Sequence, residues 1–346
     1  IVSYIRSIST DNYIIIYKHK EIVNLYLPHY NDFFTSTFTH LGYDVVYQPS
    51  CLQAPYDNGC WEIKFPTVDW SDKSLVIMHC QDWVTAVDGF CPELQVIEKH
   101  YGDNANQVVV IHWNINLHKI YNGPLRLMYF ATHSYELIQK IRSVNNSWHP
   151  QQSNQKTKIW QCLNGIIKPH REKVAWYLQN NYTEGVLSLG SEIVLEQSDY
   201  KHYQANDNDL NWLRLQKVYN QCAINIVTES QYDDCPGIIS EKTLMCFLAK
   251  QIPILIGHKY IIEQCEQLGF DMFRDIVNTS YDYESNSTRW RSAIQCNHDL
   301  LATGINLDSI NDRLIHNQQL ALNFPEYQIQ QFNDKVQANF ANLCRG

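Results

Sequence analysis

GIISEKTLMCFLAKQIPILIG, residues 237–257, decides the fold. It reads as loop, helix cap, amphipathic helix, turn and buried strand. Ser240 suits the cap position, because its hydroxyl can accept a hydrogen bond from a first-turn amide. Leu244, Phe247 and Leu248 then make an apolar stripe at helical spacing. Ile252–Ile256 is an apolar run of the length of one buried strand. A helix feeding a buried strand is half of a parallel-sheet unit. Glu241 and Lys242 stand where the helix presents its bare N–H groups, which favour an anion. Lys242 adds a mobile positive charge, and Glu241 can accept from hydroxyls such as those of a ribose. On this triplet alone, a capped helix with a favourable first-turn Glu is the simpler reading.

The same rhythm extends in both directions. Toward the N-terminus, strands are expected at 223–230 (AINIVTES), 185–190 (GVLSLG) and 158–165 (KIWQCLNG), with helices at 170–181 and 211–219. Residues 191–209 read as a polar loop. Further strands are expected at 11–17, 42–48, 74–80, 107–113 and 125–132, with helices at 27–41 and 92–101, and 50–72 reads as loop. Beyond the opening stretch, helices are expected near 259–268, 287–302 and 309–323. Strands alternating with helices predict an α/β protein with a mostly parallel sheet in each half. SVNNSWHPQQSNQK, inside 143–157, is polar and holds Pro150, so it reads as the linker. The expected organisation is a domain at 1–142, a linker at 143–157 and a second domain at 158–346 with closing helices. Two Rossmann-like domains imply a cleft, and ligands of open α/β sheets sit at the carboxyl ends of strands.

The 346 residues suit two domains. With 45% hydrophobic and 18% charged residues, the composition is globular. A net charge of −9 gives no global attraction for nucleic acid or an anionic membrane, though a local basic pocket remains open to it. No apolar run reaches the ~20 residues that span a bilayer. No signal peptide is evident, and the chain opens on Ile1, which fits a processed or partial chain. Eleven cysteines without CxxC pairs read as free thiols of a reducing, cytoplasmic compartment.

Three further stretches could carry chemistry. In KPHREKVAWYL, 168–178, Arg171 falls at a helix N-terminus, where the dipole disfavours a cation. An anionic ligand would satisfy it; so would Glu172 or solvent. His170 beside it reads as ligand-binding or structural. In INIVTES, 224–230, Glu229 arrives at a strand end, where it could read a ribose or base, or cap a helix. Asp207–Asn208–Asp209 has the form that can hold a metal on a sugar nucleotide, but its polar run reads more simply as a loop or cap. In the first half His79, Asp82, Asp88, Glu93, His112 and Glu136 fall near strand ends, and no spacing singles out a general base. There is no Walker A sequence, no GxGxxG, no HExxH and no G-x-S-x-G elbow.

Read together, these blocks resemble the nucleotide-sugar-binding half of GT-B glycosyltransferases, and most of all the α1,3-fucosyltransferase family. That family has a lone Arg or His-Arg before a helix, a strand ending F-E-N-S, then I-T-E-K-L and a V-P-V-V-x-G strand. The counterparts here are His170–Arg171, Val227–Ser230 (VTES), Ile239–Leu244 (ISEKTL) and Ile252–Gly257 (IPILIG). S-E-K replaces T-E-K, and T-E-S replaces E-N-S. The blocks also look like those of virus- and phage-encoded glycosyltransferase-like proteins, which continue with L-G-F and S-Y-D, here at 268–270 and 280–282.

The resemblance covers roughly 158–285. It implies a GT-B-like fold and transfer of a sugar from a nucleoside-diphosphate donor, GDP-fucose or a similar GDP-sugar first, to a glycan or other hydroxyl acceptor. Arg171 and Lys242 would bind the pyrophosphate, Glu241 the ribose, and Glu229 would line the nucleotide pocket. No metal and no tightly bound cofactor is expected, and the catalytic base stays unassigned. The implied partners are the nucleotide sugar and the acceptor, with homo-oligomerisation or virion assembly open. The rival reading is a catalytically inactive relative, serving as a structural or carbohydrate-binding, virion-associated component.

Overall fold

The computed structural model describes residues 14–16, 28–48, 61–63, 65–71, 74–79, 92–112, 114, 117, 121–131, 137–138, 156–190, 192–195, 211–232, 234 and 238–340. The chain forms two compact units. One joins Ile1–Thr132 to Glu326–Gly346, and the other is His133–Pro325. The terminal segment thus groups with the first unit, not with the second as the sequence reading had it. The expected linker lies outside the described residues except at its last two positions.

The first unit holds β1 (Ile14–Ile16), α1 (Pro28–Thr39), β2 (Asp44–Gln48), β3 (Trp61–Ile63), β4 (Ser74–His79), α2 (Pro92–Tyr101), β5 (Val108–His112) and β6 (Arg126–Tyr129). Strands β2-β4-β5-β6 make a wholly parallel four-stranded sheet. Leu75–Met78 and Val108–Ile111 are buried. An unbroken apolar run is what a strand covered on both faces requires. β3 falls within the stretch that the sequence predicts as loop. It is three residues long and pairs antiparallel with β1 in a separate ribbon.

The last helix, Phe324–Phe340, lies beyond the helix expected near 309–323. Pro325 sits in its first turn, where a missing N–H costs nothing. Its Phe332 lies against Phe33, Phe34, Phe38 and Phe130 at centroid distances of 5.1–6.2 Å. Phe340 meets Phe38 and Tyr43, and the Arg126 guanidinium lies 4.5 Å over its ring. Gln328 accepts a hydrogen bond from the Ala131 amide at 2.8 Å. These contacts join the helix to the first unit.

The second unit holds β7 (Lys158–Asn164), α3 (Pro169–Asn181), β8 (Gly185–Leu189), β9 (Glu192–Leu195), α4 (Asn211–Gln221), β10 (Cys222–Thr228), α5 (Glu241–Leu248), β11 (Ile252–Ile256), α6 (Ile261–Gln267), α7 (Arg289–Gln295), α8 (His298–Thr303) and α9 (Asn311–Leu322). The sheet order is β11-β10-β7-β8-β9. The first four strands are parallel, and β9, which was read as loop, runs antiparallel at the edge. Pro253 is tolerated because β11 is the other edge strand. Gly185 pairs with Trp160, and a Cβ there would lie 2.2 Å from the indole, so the glycine makes room for the ring.

The single helix expected near 287–302 is broken in two at Asn297. Its side chain donates to the carbonyls of Ala293 and Asn278 and accepts from the Asn278 amide. Among the described residues, no helix is long and apolar enough to cross a membrane.

Candidate functional site

Three parallel strands deliver polar residues to one edge of the second sheet. β7 ends at Asn164, β10 at Thr228 and β11 at Ile256. Thr228 donates its hydroxyl to Asn164 Oδ1, tying two strand ends together. Helix α3 starts from the first of these ends. The chain leaving β10 leads to the cap of α5, and that leaving β11 leads to α6.

Arg171 is buried in the first turn of α3. Neither Glu172 nor solvent satisfies it. Its Nε and Nη2 donate to the Thr228 carbonyl at 3.2 and 2.9 Å, and Nη1 donates to the Ile166 carbonyl at 2.9 Å. Nη2 also reaches Ser230 Oγ at 3.3 Å. Burial pulls its pKa down, against the charges of Glu229, Cys162 and Glu241. The guanidinium therefore clasps the β10 exit to the β7–α3 loop.

Glu229 is fully buried. Its Oε1 accepts from the Ser240 amide at 3.1 Å and from the Thr243 hydroxyl at 2.6 Å, so the carboxylate braces the start of α5. Oε2 is buried and has no hydrogen-bond partner among the described residues. Gly257 allows this placement, because a Cβ there would come within 3.1 Å of the Glu229 side chain and 2.8 Å of Ile261.

Ser240 caps α5 as expected, accepting from the Lys242 amide at 3.2 Å. Lys242 Nζ lies 2.6 Å from Glu241 Oε1, and both side chains keep about a quarter of their surface exposed, 26% and 27%. This pair is the accessible part of the constellation. Beyond the first turn, Thr243–Leu248 are all buried, and Gln318 donates to the Leu248 carbonyl at 2.8 Å.

His170 donates Nε2–H to the Glu229 carbonyl at 2.9 Å and stacks on Tyr232 at 4.6 Å. Its pKa falls to about 4, through burial first and then the nearby cations Arg171, Lys168 and Lys173. Lys168 Nζ donates to the Ser230 carbonyl at 2.8 Å. The N-terminus of α3 has no side-chain cap, and it gathers Lys168, Arg171 and Lys173 around His170, with Glu172 in the same turn.

Sequence reasoning missed several neighbours. Arg289, fully buried, donates to the Gly257 carbonyl at 2.7 Å and pairs with Asp234 at 2.5 Å, and it lies 5.5 Å over the Tyr232 ring. Asp282 accepts from the Ile261 and Ile262 amides at 3.1 Å and caps α6, and burial raises its carboxyl to about 6. Asp282 belongs to the S-Y-D phrase, which signalled its presence but not its role. His258 is buried with Nδ1–H donating to the Lys259 carbonyl at 2.9 Å, and burial lowers its pKa to about 4.

The structure thus brings Arg171, Glu229, Glu241 and Lys242 to one edge. In the first unit, His112 is buried at the end of β5. Asp82, Asp88 and Glu136, the side chains of His79 and Glu93, and Asp207–Asp209 lie outside the described residues. No group of three or more His, Cys, Asp or Glu among the described residues could hold a metal ion.

The chain is a mixed α/β protein with two parallel sheets. No protein-family model matches it. No curated protein sequence matches it. A solved structure that it resembles is the crystal structure of an α1,3-fucosyltransferase with GDP-fucose. That chain is 12% identical over 79% of this chain and 74% of its own, with a TM-score of 0.27. A likeness that slight leaves the functional reading to the residues themselves.

Proposed function

We propose that the edge at β7, β10 and β11 binds the diphosphate of a nucleotide sugar, and that the chain is a glycosyltransferase. The observation that supports this best is the cluster of Lys168, Arg171 and Lys173 at the uncapped start of α3, in a chain of net charge −9. Helix amides plus fixed cations favour a dianion.

In this reading Lys242 is the direct phosphate ligand. It exchanges Glu241 for the ligand, which frees Glu241 to accept from ribose hydroxyls. Arg171 holds the loop and adds fixed charge from below. During transfer, the acceptor hydroxyl loses its proton to a base and attacks the anomeric carbon, while the cations stabilise the departing diphosphate. A GDP-sugar is the donor that the VTES, ISEKTL and IPILIG blocks point to by resemblance.

The second reading, a protein that keeps the architecture without the chemistry, draws on one observation. Arg171 and Glu229 are both committed to bonds within the fold. Retained architecture does not imply retained activity.

Thermal denaturation with GDP, UDP and ADP separates the two. A ligand at about 100 times its Kd adds about 2.7 kcal/mol to the wild type. Lys242→Ala should lose most of that gain. If no nucleotide moves the wild-type melting curve, the donor-site reading fails.

A further inference from the structure

The first unit carries a cleft of about 390 Å³ that the nucleotide reading does not use. Its walls include Phe65, Thr67, Trp70, His100, Tyr101 and Asn104. Phe65–Trp70 lie shortly before β4, Tyr101 ends α2, and Asn104 lies in the helical turn that leads into β5. The cleft therefore sits at the amino-terminal edge of the sheet, opposite the carboxyl ends where α/β proteins bind their principal ligands.

The walls are tied down. Gln107 Nε2 donates to the carbonyls of Ser71 and Ser74 at 2.7 and 3.1 Å, and the Ser71 amide donates to Ser74 Oγ at 2.8 Å. Phe65, Val68 and Trp70 pack on the core formed by Val76, Leu94 and Ile97. Phe65 and His100 stack at 3.7 Å, and Trp70 meets the edge of Tyr101 at 5.6 Å.

The lining defines a ligand chemistry. Among the described residues, no Asp, Glu, Lys or Arg lines the cleft, so these walls offer a phosphate or carboxylate no counter-charge. A wholly apolar ligand would desolvate the Asn104 amide, the Thr67 hydroxyl and the Trp70 N–H without repaying their hydrogen bonds. Among the described residues, none of these three side chains makes a hydrogen bond within the protein. Aromatic faces for C–H groups, beside neutral donors and acceptors for hydroxyls, match one class of molecule. The volume lies in the range of small-molecule sites, ~300–1,000 Å³. We propose that this cleft binds a neutral saccharide ring, held against the aromatic wall and oriented by Asn104 and Thr67. The site stands apart from the nucleotide reading, and neither depends on the other.

Saturation-transfer NMR on the full chain tests it, with methyl β-D-glucopyranoside, methyl α-L-fucopyranoside and N-acetyl-D-glucosamine as probes and cyclohexanol as the apolar control. At least one sugar should receive saturation on its ring C–H protons, with a Kd of about 1 mM. Asn104→Ala should leave the melting temperature at the wild-type value, and His100→Ala, which gives up its stack on Phe65, should lower it only slightly. Each should weaken binding about tenfold, the worth of one good hydrogen bond or ring contact. Lys242→Ala should leave the signal unchanged. The assignment is overturned if none of the three sugars is saturated or if both rim variants bind like wild type. It is overturned equally if Lys242→Ala abolishes the signal or if cyclohexanol binds as well as the sugars.

Discussion

Arg171→Ala isolates what the buried guanidinium does. Its hydrogen bonds end on the Thr228 carbonyl, the Ile166 carbonyl and Ser230 Oγ. Truncation leaves two backbone carbonyls at the sheet edge without their partner. Each buried unsatisfied group costs ~1–3 kcal/mol. The emptied volume adds a further penalty, and the relieved burial of the charge offsets part of the total. The net expectation is a loss of about 3 kcal/mol. In a domain of this size each kcal/mol moves Tm by ~2–4 °C, so Tm should fall by roughly 6–12 °C. Thermal and urea denaturation would be run on Arg171→Ala, Arg171→Met and Lys242→Ala. Arg171→Met restores most of the volume but not the bonds, so it should recover only part of the loss. Lys242→Ala, at the partly exposed rim, should stay within about 0.5 kcal/mol of wild type. An Arg171→Ala protein as stable as wild type would refute the reasoning. The carbonyl bonds would then be incidental, and a direct ligand role would become the main account of Arg171.

Three more outcomes follow from particular contacts. His170 has a folded pKa of about 4, below its free value of 6.5, so its contribution is complete above pH 6.5 and is lost as pH falls through 4. Asp282 runs the other way. With its folded value raised to about 6 from 3.8, its contribution is complete below 3.8 and is lost as pH rises through 6. Each is worth about 3 kcal/mol across its window. Urea unfolding at an acidic and a neutral pH should therefore show the pH difference shrinking in His170→Gln and growing in Asp282→Asn. Equal differences in both variants and wild type would sink the assignment. Gly185→Ala drives a methyl into the Trp160 ring and should cost ~1–3 kcal/mol, visible as a lower urea midpoint at unchanged slope. Phe332→Ala opens the aromatic cluster of the first unit and should cost ~3–5 kcal/mol by the same measurement. A midpoint within error of wild type would contradict the packing described.

The strands that could be read from the sequence were those buried on both faces, such as Val108–His112 and Cys222–Thr228. Their apolar runs need no partner to be recognised. Ser240 was legible for a similar reason, since a cap and its helix are neighbours in the chain. The three-residue β3 and four-residue β9 show no usable period, and they exist because a partner strand lies alongside. The candidate residues divide in the same way. That Arg171 and Glu229 would reach one edge followed from the strand-to-helix rhythm. What each would do there did not. The Thr228 carbonyl that Arg171 grips is 57 positions away, and the groups that Glu229 braces are 11 and 14 positions away. Those distances are closed by the sheet, and no local pattern encodes them. The helix Phe324–Phe340 was hidden differently: its phenylalanines pack on residues near 30–40 and at 130, far away in the chain.

That same helix has a consequence for how the protein is made. Domains fold as units as they emerge, the earlier one first. Here the first sheet is synthesised early, but the aromatic face that covers Phe34, Phe38 and Phe130 is translated after Pro325, behind the whole of the second unit. The second unit can finish folding while the first still waits with exposed rings. The nascent first half is therefore the stage at which a chaperone has something to hold, and a ribosome stalled before Phe332 would carry a complete second unit beside an incomplete first one.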